Sequence, residues 1–154
     1  PKPIEPAVNR PPLSLSLQFA DTIDRAVLPR HKVLRWLRAA LSEPAVITVR
    51  LVGAMEGRKL NRDYRGLDHA TNVLTFDYQR EPAVVADLIV CSAVVRREAA
   101  RQHIDLQAHY AHMLVHGALH GRGMNHQDDA EAQLMEAAES RILLGLGFED
   151  PYRR

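Results

Sequence analysis

Thiols are almost absent from this chain: among 154 residues there is one cysteine, Cys91. A lone thiol cannot pair within the chain and has no CxxC neighbour, which excludes a disulfide framework and a thiolate zinc knuckle. Its flanks, "DLIVCSAVV", mark it as a small buried side chain. Long apolar runs are missing too. None approaches the roughly 18 to 20 residues that cross a bilayer, and the opening "PKPIEPAVNRPP" lacks the apolar stretch of a secretory signal, so a cytoplasmic protein with no membrane partner is expected. Charge of one sign is also lacking: 20 Lys and Arg against 19 Asp and Glu leave a net charge of +1. Any nucleic-acid contact must therefore come from a local patch. Aromatic residues make up only 5% of the chain, so few rings are available to stack on bases.

Histidine is what the chain concentrates. Six of its eight histidines fall between His103 and His126, four of them in "HMLVHGALHGRGMNH" (112–126). The hydrophobic content of 46% and charged content of 25% are those of a globular domain long enough to build a core without staples. A metal site here would thus serve function rather than folding.

The order of elements predicts an α+β fold. After a flexible proline-rich tail over residues 1–12, "LSLSLQFA" alternates leucine with polar residues, the period of a half-buried strand. Residues 29–41 place Val33, Leu34, Trp36, Leu37 and Leu41 on one helical face, opposite a basic side. "AVITVRLVG" predicts a second strand. A short helix then ends near Gly66 and carries Arg58, Lys59, Arg62 and Arg65 within about two turns, a dense positive patch. Two further strands follow over 71–78 and 83–91, the latter with Asp87 in an apolar run, where a carboxylate needs a partner. The rest is helical, with Gly145 and Gly147 closing the last segment. A single sheet of about four strands packed with helices results, forming one domain over residues 13–154.

The histidine spacing points to a metal. In a helix, residues four apart share a face about 6 Å apart, so His116 and His120 can address one ion. Gly121 and Gly123 allow the chain to turn and bring His126 back as a third ligand. Three neutral imidazoles leave a coordination position open, the pattern of a catalytic zinc site. His112, one turn earlier, suits a supporting role behind the ligands, whereas His103 and His109 read as ordinary structural histidines. A zinc peptidase would carry a glutamate general base beside the first histidine, and here that neighbour is Gly117. Hydrolysis of another kind of bond is the better expectation.

The blocks "LNRDYRGLDHATNVLTFDY", "ADLIVC", "HGALHGRGMNH" and "EAAESRILLGLGFEDPY" resemble the YbeY family of endoribonucleases and rRNA maturation factors, over residues 45–152. The resemblance implies a metal-dependent, single-strand-specific endoribonuclease used in rRNA maturation and ribosome quality control, with a histidine-bearing helix related to that of zinc proteases. His116, His120 and His126 fall on the family's metal ligands, and Arg65 on the arginine of its "YR" block, so the implied catalytic residues are Arg65 and His116. One divalent ion is implied, zinc or alternatively nickel, with single-stranded RNA, ribosomal RNA and the ribosome as partners and no DNA. Arg58, Lys59, Arg62 and Arg122 are the expected RNA contacts. Arg65 has a structural alternative, an ion pair with Asp87 or Asp68.

The chain departs from the family motif H-G-x-L-H-x-x-G-x-D-H at Asn125, which stands at the acidic position, and Ala86 replaces a glycine usual before the "DL" pair. Asparagine can hydrogen-bond but cannot take up a proton as a carboxylate does. That change sustains a second expectation, a ribosome-associated assembly or RNA-binding factor whose metal site is largely structural.

Overall fold

The computed structural model describes residues 10–153. The predicted tail lies outside the described residues as far as position 9. Alternation in "LSLSLQF" gives β1 (Leu13–Phe19), whose leucines and Phe19 turn to the core while Ser14 and Ser16 stay exposed. α1 (Arg30–Ala40) buries Val33, Trp36, Leu37 and Ala40, and the Trp36 ring meets Phe148 edge-on at 6.0 Å. β2 (Ala45–Val52) follows, then α2 (Ala54–Arg65), which stops at Gly66 in the left-handed region (φ 72°). Glycine takes that conformation without a side-chain clash.

β3 (Val73–Gln79) and β4 (Val84–Cys91) form an antiparallel pair, and β1, β2 and β4 run parallel, giving the order β1-β2-β4-β3. β4 lies inside the sheet and β3 is an outer strand. The expected α+β class therefore holds, with one mixed sheet of four strands and five α-helices among the described residues. Asp87 points off the core side of β4 and accepts a hydrogen bond from Tyr78 Oη at 2.9 Å, which supplies the partner its position demands.

α3 (Ser92–Gln102) leads through His103, itself left-handed at φ 55°, to α4 (Leu106–Gly121). Asp105 caps α4 by accepting from the Ala108 amide at 3.0 Å. α4 is apolar most of the way round and correspondingly buried, with contacts to α1, α3, β3, β4 and α5 (Asp129–Gly145). Its approach to the sheet depends on two glycines. A Cβ at Gly117 would lie 3.1 Å from Val73 and 3.2 Å from Leu88, and one at Gly121 would lie 3.2 Å from the Ala86 methyl. Thr75 Oγ1 then reaches the Gly117 carbonyl at 3.2 Å, tying the outer strand to the helix. A buried acid braces the other end: Asp24 accepts hydrogen bonds from Arg96 and Tyr110, joining the loop after β1 to α3 and α4. No helix among the described residues is long and apolar enough to cross a membrane.

Candidate metal centre

The helical repeat sets His112, His116 and His120 along one side of α4. Beyond Gly121 the chain reverses: the Gly123 amide donates to the His120 carbonyl at 3.0 Å and the Met124 amide to the Leu119 carbonyl at 2.9 Å. Gly123 makes that reversal at φ 107°, and His126 returns to face the helix. The ring centroids of His116, His120 and His126 lie 4.6, 5.5 and 4.8 Å apart in pairs. One nitrogen from each falls within 4.8 Å of the others. His116 Nε2 and His120 Nε2 are 3.1 Å apart, close to the about 3.3 Å that two imidazoles span on a tetrahedral zinc ion.

Protonation suits a cation as well. Burial, reinforced by the neighbouring His116 and His126, lowers the His120 pKa to about 4, so this imidazole is neutral and offers its lone pair near neutral pH. His116 donates from Nδ1 to Glu139 Oε2 at 3.1 Å, which leaves its Nε2 directed at the shared point. The donor set and its geometry fit a divalent ion of the zinc type.

Glu139 was not legible as a site residue, and it lies at the centre of the support. It sits on α5 with its side chain 1% exposed, accepting from His112 Nε2 and from Tyr152 Oη (2.8 Å) on Oε1 and from His116 on Oε2. Burial alone would raise its pKa, but the hydrogen bonds from the two histidines outweigh it and hold the carboxyl at about 2. Burial of the Tyr152 phenol, reinforced by that anion, raises its pKa in turn. His112 thus reaches His116 through a shared carboxylate rather than directly. The signal for Glu139 was its place in α5, four residues after Met135 and four before Leu143, both buried.

The three histidines open into a cleft of about 490 Å³ shared with Tyr64, Arg65, Asn72, Arg80 and Asn125. Arg65 and Asn125 are therefore brought to the histidines. Both carboxylates considered as partners for Arg65 are engaged elsewhere, Asp68 by Arg58 at 2.7 and 2.8 Å and Asp87 by Tyr78. Arg65 makes no ion pair among the described residues. Arg58, Lys59 and Arg62 line a separate depression along α2. Arg122 is not beside the metal point: it turns toward the end of α1, bonding Ser42 Oγ at 2.8 Å and Glu43 at 3.2 Å. It caps α4, and from there its guanidinium reaches the segment that follows α1. Of the aromatic candidates, Tyr64 lines the cleft and packs on Phe76 at 4.1 Å, whereas Phe76 and Tyr78 do not line it.

Asn72, also unassigned from sequence, lines the cleft and donates to both oxygens of Glu98 at 3.1 and 3.2 Å, while His109 Nε2 meets the same carboxylate at 2.9 Å. A partly buried polar relay therefore holds the cleft wall at the start of β3.

A family model described as Endoribonuclease YbeY matches residues 21–147. The Endoribonuclease YbeY of Methylibium petroleiphilum is 66% identical over 143 residues, covering 93% of this chain and 96% of that protein. The protein of the same name from an Acidovorax species is 59% identical over 145 residues, 91% of this chain and 95% of its own. Among solved structures, that of TM1509 from Thermotoga maritima aligns with a TM-score of 0.62 at 22% identity, covering 91% of this chain and 99% of the other, a likeness of fold.

Proposed function

The chain belongs to the YbeY family, and from that premise we propose that it is a metal-dependent endoribonuclease that cuts single-stranded RNA in rRNA maturation and ribosome quality control, in the cytoplasm. The activity resides in one unit over residues 13–154. The observation that carries this reading is the convergence of three imidazoles and an unpaired arginine on a single cleft. His116, His120 and His126 hold the ion, zinc or alternatively nickel. When bound, such an ion acts as a Lewis acid toward a phosphate oxygen and favours ionisation of a nucleophile near neutral pH.

The remaining roles belong to the protein. Arg65 presents a planar pair of donors to a non-bridging phosphate oxygen, and with no carboxylate to leave first it is available without breaking an ion pair. Glu139 orients His116, with His112 and Tyr152 holding the carboxylate. Lys59 and Arg62 attract neighbouring phosphates from outside the cleft, as does Arg58 at the cost of its bond to Asp68. Tyr64 offers a ring at the cleft edge for an unstacked base, a contact that a duplex cannot make.

The second reading, an assembly or RNA-binding factor with a structural ion, is favoured by Asn125, which occupies the cleft without a carboxylate's capacity to take up a proton. One experiment separates them. Labelled single-stranded and duplex RNAs are offered to the metal-loaded protein and to Arg65→Ala and His116→Ala, with metal content assayed in each. Cleavage of the single strand alone, abolished in both variants while only His116→Ala loses metal, is the expected result. Metal binding without cleavage, or variants as active as the parent, would move the conclusion to the binding factor.

A further inference from the structure

We propose that the histidine cleft continues along the free edge of β3 as a track for an extended single strand of RNA, with Arg80 as the phosphate contact at its far end. The inference rests on the RNA-cleaving reading and adds a substrate subsite to it.

β3 is the last strand of the sheet, so one of its edges pairs with no other strand among the described residues. Val73, Leu74 and Thr75 of β3 line the cleft consecutively, just after Thr71 and Asn72 of the preceding loop. Side chains alternate across a strand, so a single face would show every second residue, and an unbroken run means that the cleft follows the edge. The seven residues of β3 rise about 20 Å, room for a few nucleotides beside the metal point.

Two cations stand in the same cleft. Arg65 lines the cleft from the end of α2, where Tyr64 packs on Phe76, and Arg80 lines it one residue beyond Gln79. The place of Arg80 is built rather than incidental. Its guanidinium lies against Gly123, where a Cβ would come within 3.2 Å of Cζ. Gly123 thus reverses the chain between two ligand histidines and leaves a seat for the arginine on the same turn. The only ion pair restraining Arg80 among the described residues is to Asp77 at 3.2 Å, with the arginine side chain 57% exposed. An exposed pair of that kind exchanges readily for a phosphate. The β3–β4 register shift between Asp77 and Gln79 distorts the ladder at this end, a device that blunts an edge against pairing with another strand. Two cations in the cleft and a blunted edge favour a polyanion over an added peptide strand.

The test uses Arg80→Gln and Asp77→Asn in the metal-loaded protein with a ladder of labelled single-stranded oligoribonucleotides. Arg80→Gln should raise KM about five- to tenfold on the longer oligonucleotides, less on the shortest, with kcat and metal content close to the parent's. The slope of log KM against log salt should fall by about one, as for one lost phosphate contact. Asp77→Asn, which frees the arginine, should move KM the opposite way. Fluorescence anisotropy in a His116→Ala background reads the same contact without cleavage. If the parent cuts RNA and Arg80→Gln matches it at every length and salt concentration, the track is wrong and the cleavage reading survives. If the parent cuts nothing yet Arg80→Gln weakens binding to the longer strands, the cleavage reading falls and the track stands.

Discussion

His109 and His120 lie on the same helix, and their surroundings differ in kind. His109 is 3% exposed and meets the Glu98 carboxylate, which Asn72 also holds. His120 faces the imidazoles of His116 and His126 at the shared point and also bonds the Met124 backbone, and burial with those imidazoles drives its pKa down to about 4. The first half of α4 supplies its histidines with acids; the second half turns them toward one another around a point that a cation would satisfy. His116 joins the two halves, one nitrogen on Glu139 and the other beside His120. A histidine's partner, more than its spacing, therefore separates structure from site. Alanine at each end should break the comparison most strongly. His120→Ala is expected to lose the metal outright, read by metal content and calorimetric titration. His109→Ala should bind metal like the parent and lose about 2 kcal/mol of stability, because the half-buried Glu98 keeps its charge with one partner fewer.

The joint itself gives the next largest effects. Glu139→Ala removes the anion shared by His112, His116 and Tyr152, and should weaken metal affinity about 10- to 100-fold while costing on the order of 3 kcal/mol. Glu139→Gln keeps one acceptor and should recover part of the affinity; unchanged affinity in Glu139→Ala would remove the carboxylate from the site's support. Acid should act through the same groups. The Glu139 pKa falls from 4.5 to about 2 on folding, so its stabilisation is complete above pH 4.5 and is lost as pH drops through about 2, a loss on the order of 3 kcal/mol. His120 works in a higher window. Its pKa is lowered from 6.5 to about 4, so between those values the unfolded chain binds a proton that the folded one refuses, and stability again falls with pH. Denaturation of the metal-free protein across pH 7 to 2 should show both windows, and His120→Ala should erase the upper one.

Features written in local spacing were legible in the sequence. The period-2 leucines of β1, the glycine stop of α2 and the four-residue stripe of His112, His116 and His120 each follow from neighbours along the chain. The return of His126 was legible for the same reason, since Gly121 and Gly123 mark the turn. Glu139, Asn72 and the Asp24 cluster were not, because each acts through a partner 23 or more residues away: Glu139 to His116, Asn72 to Glu98, Asp24 to Arg96 and Tyr110. Charge patterning misled for a related reason. Sequence grouped Arg58, Lys59, Arg62 and Arg65 as one patch, and only the fold shows that Arg58 is bound to Asp68 while Arg65 opens to the cleft.

Gly117 ranks lower in effect, although it occupies the position of a peptidase's glutamate. Its absent side chain lets α4 approach Val73 and Leu88, so Gly117→Ala should gain about 1 kcal/mol of helix propensity and lose about 1 to 3 kcal/mol to overpacking. A lowered melting temperature is expected, with metal binding weakened only as far as α4 is pushed from β3. A raised one would mean that the sheet yields.

Arg122 sharpens the comparison at its smallest scale. It stands in sequence between two ligand histidines, where a cation would be expected to touch substrate or ion, yet its guanidinium reaches the Ala40 carbonyl, Ser42 and Glu43 at the end of α1. The pair with Glu43 is about one third exposed on both sides, so Arg122→Ala should cost less than about 1 kcal/mol in a thermal melt. Binding of single-stranded RNA should keep its salt dependence in this variant, because a residue turned away from the cleft releases no counterion when RNA binds. A shallower salt slope in Arg122→Ala would instead show that the side chain leaves Glu43 for a phosphate, and the second half of α4 would then carry its positive charge into the site after all.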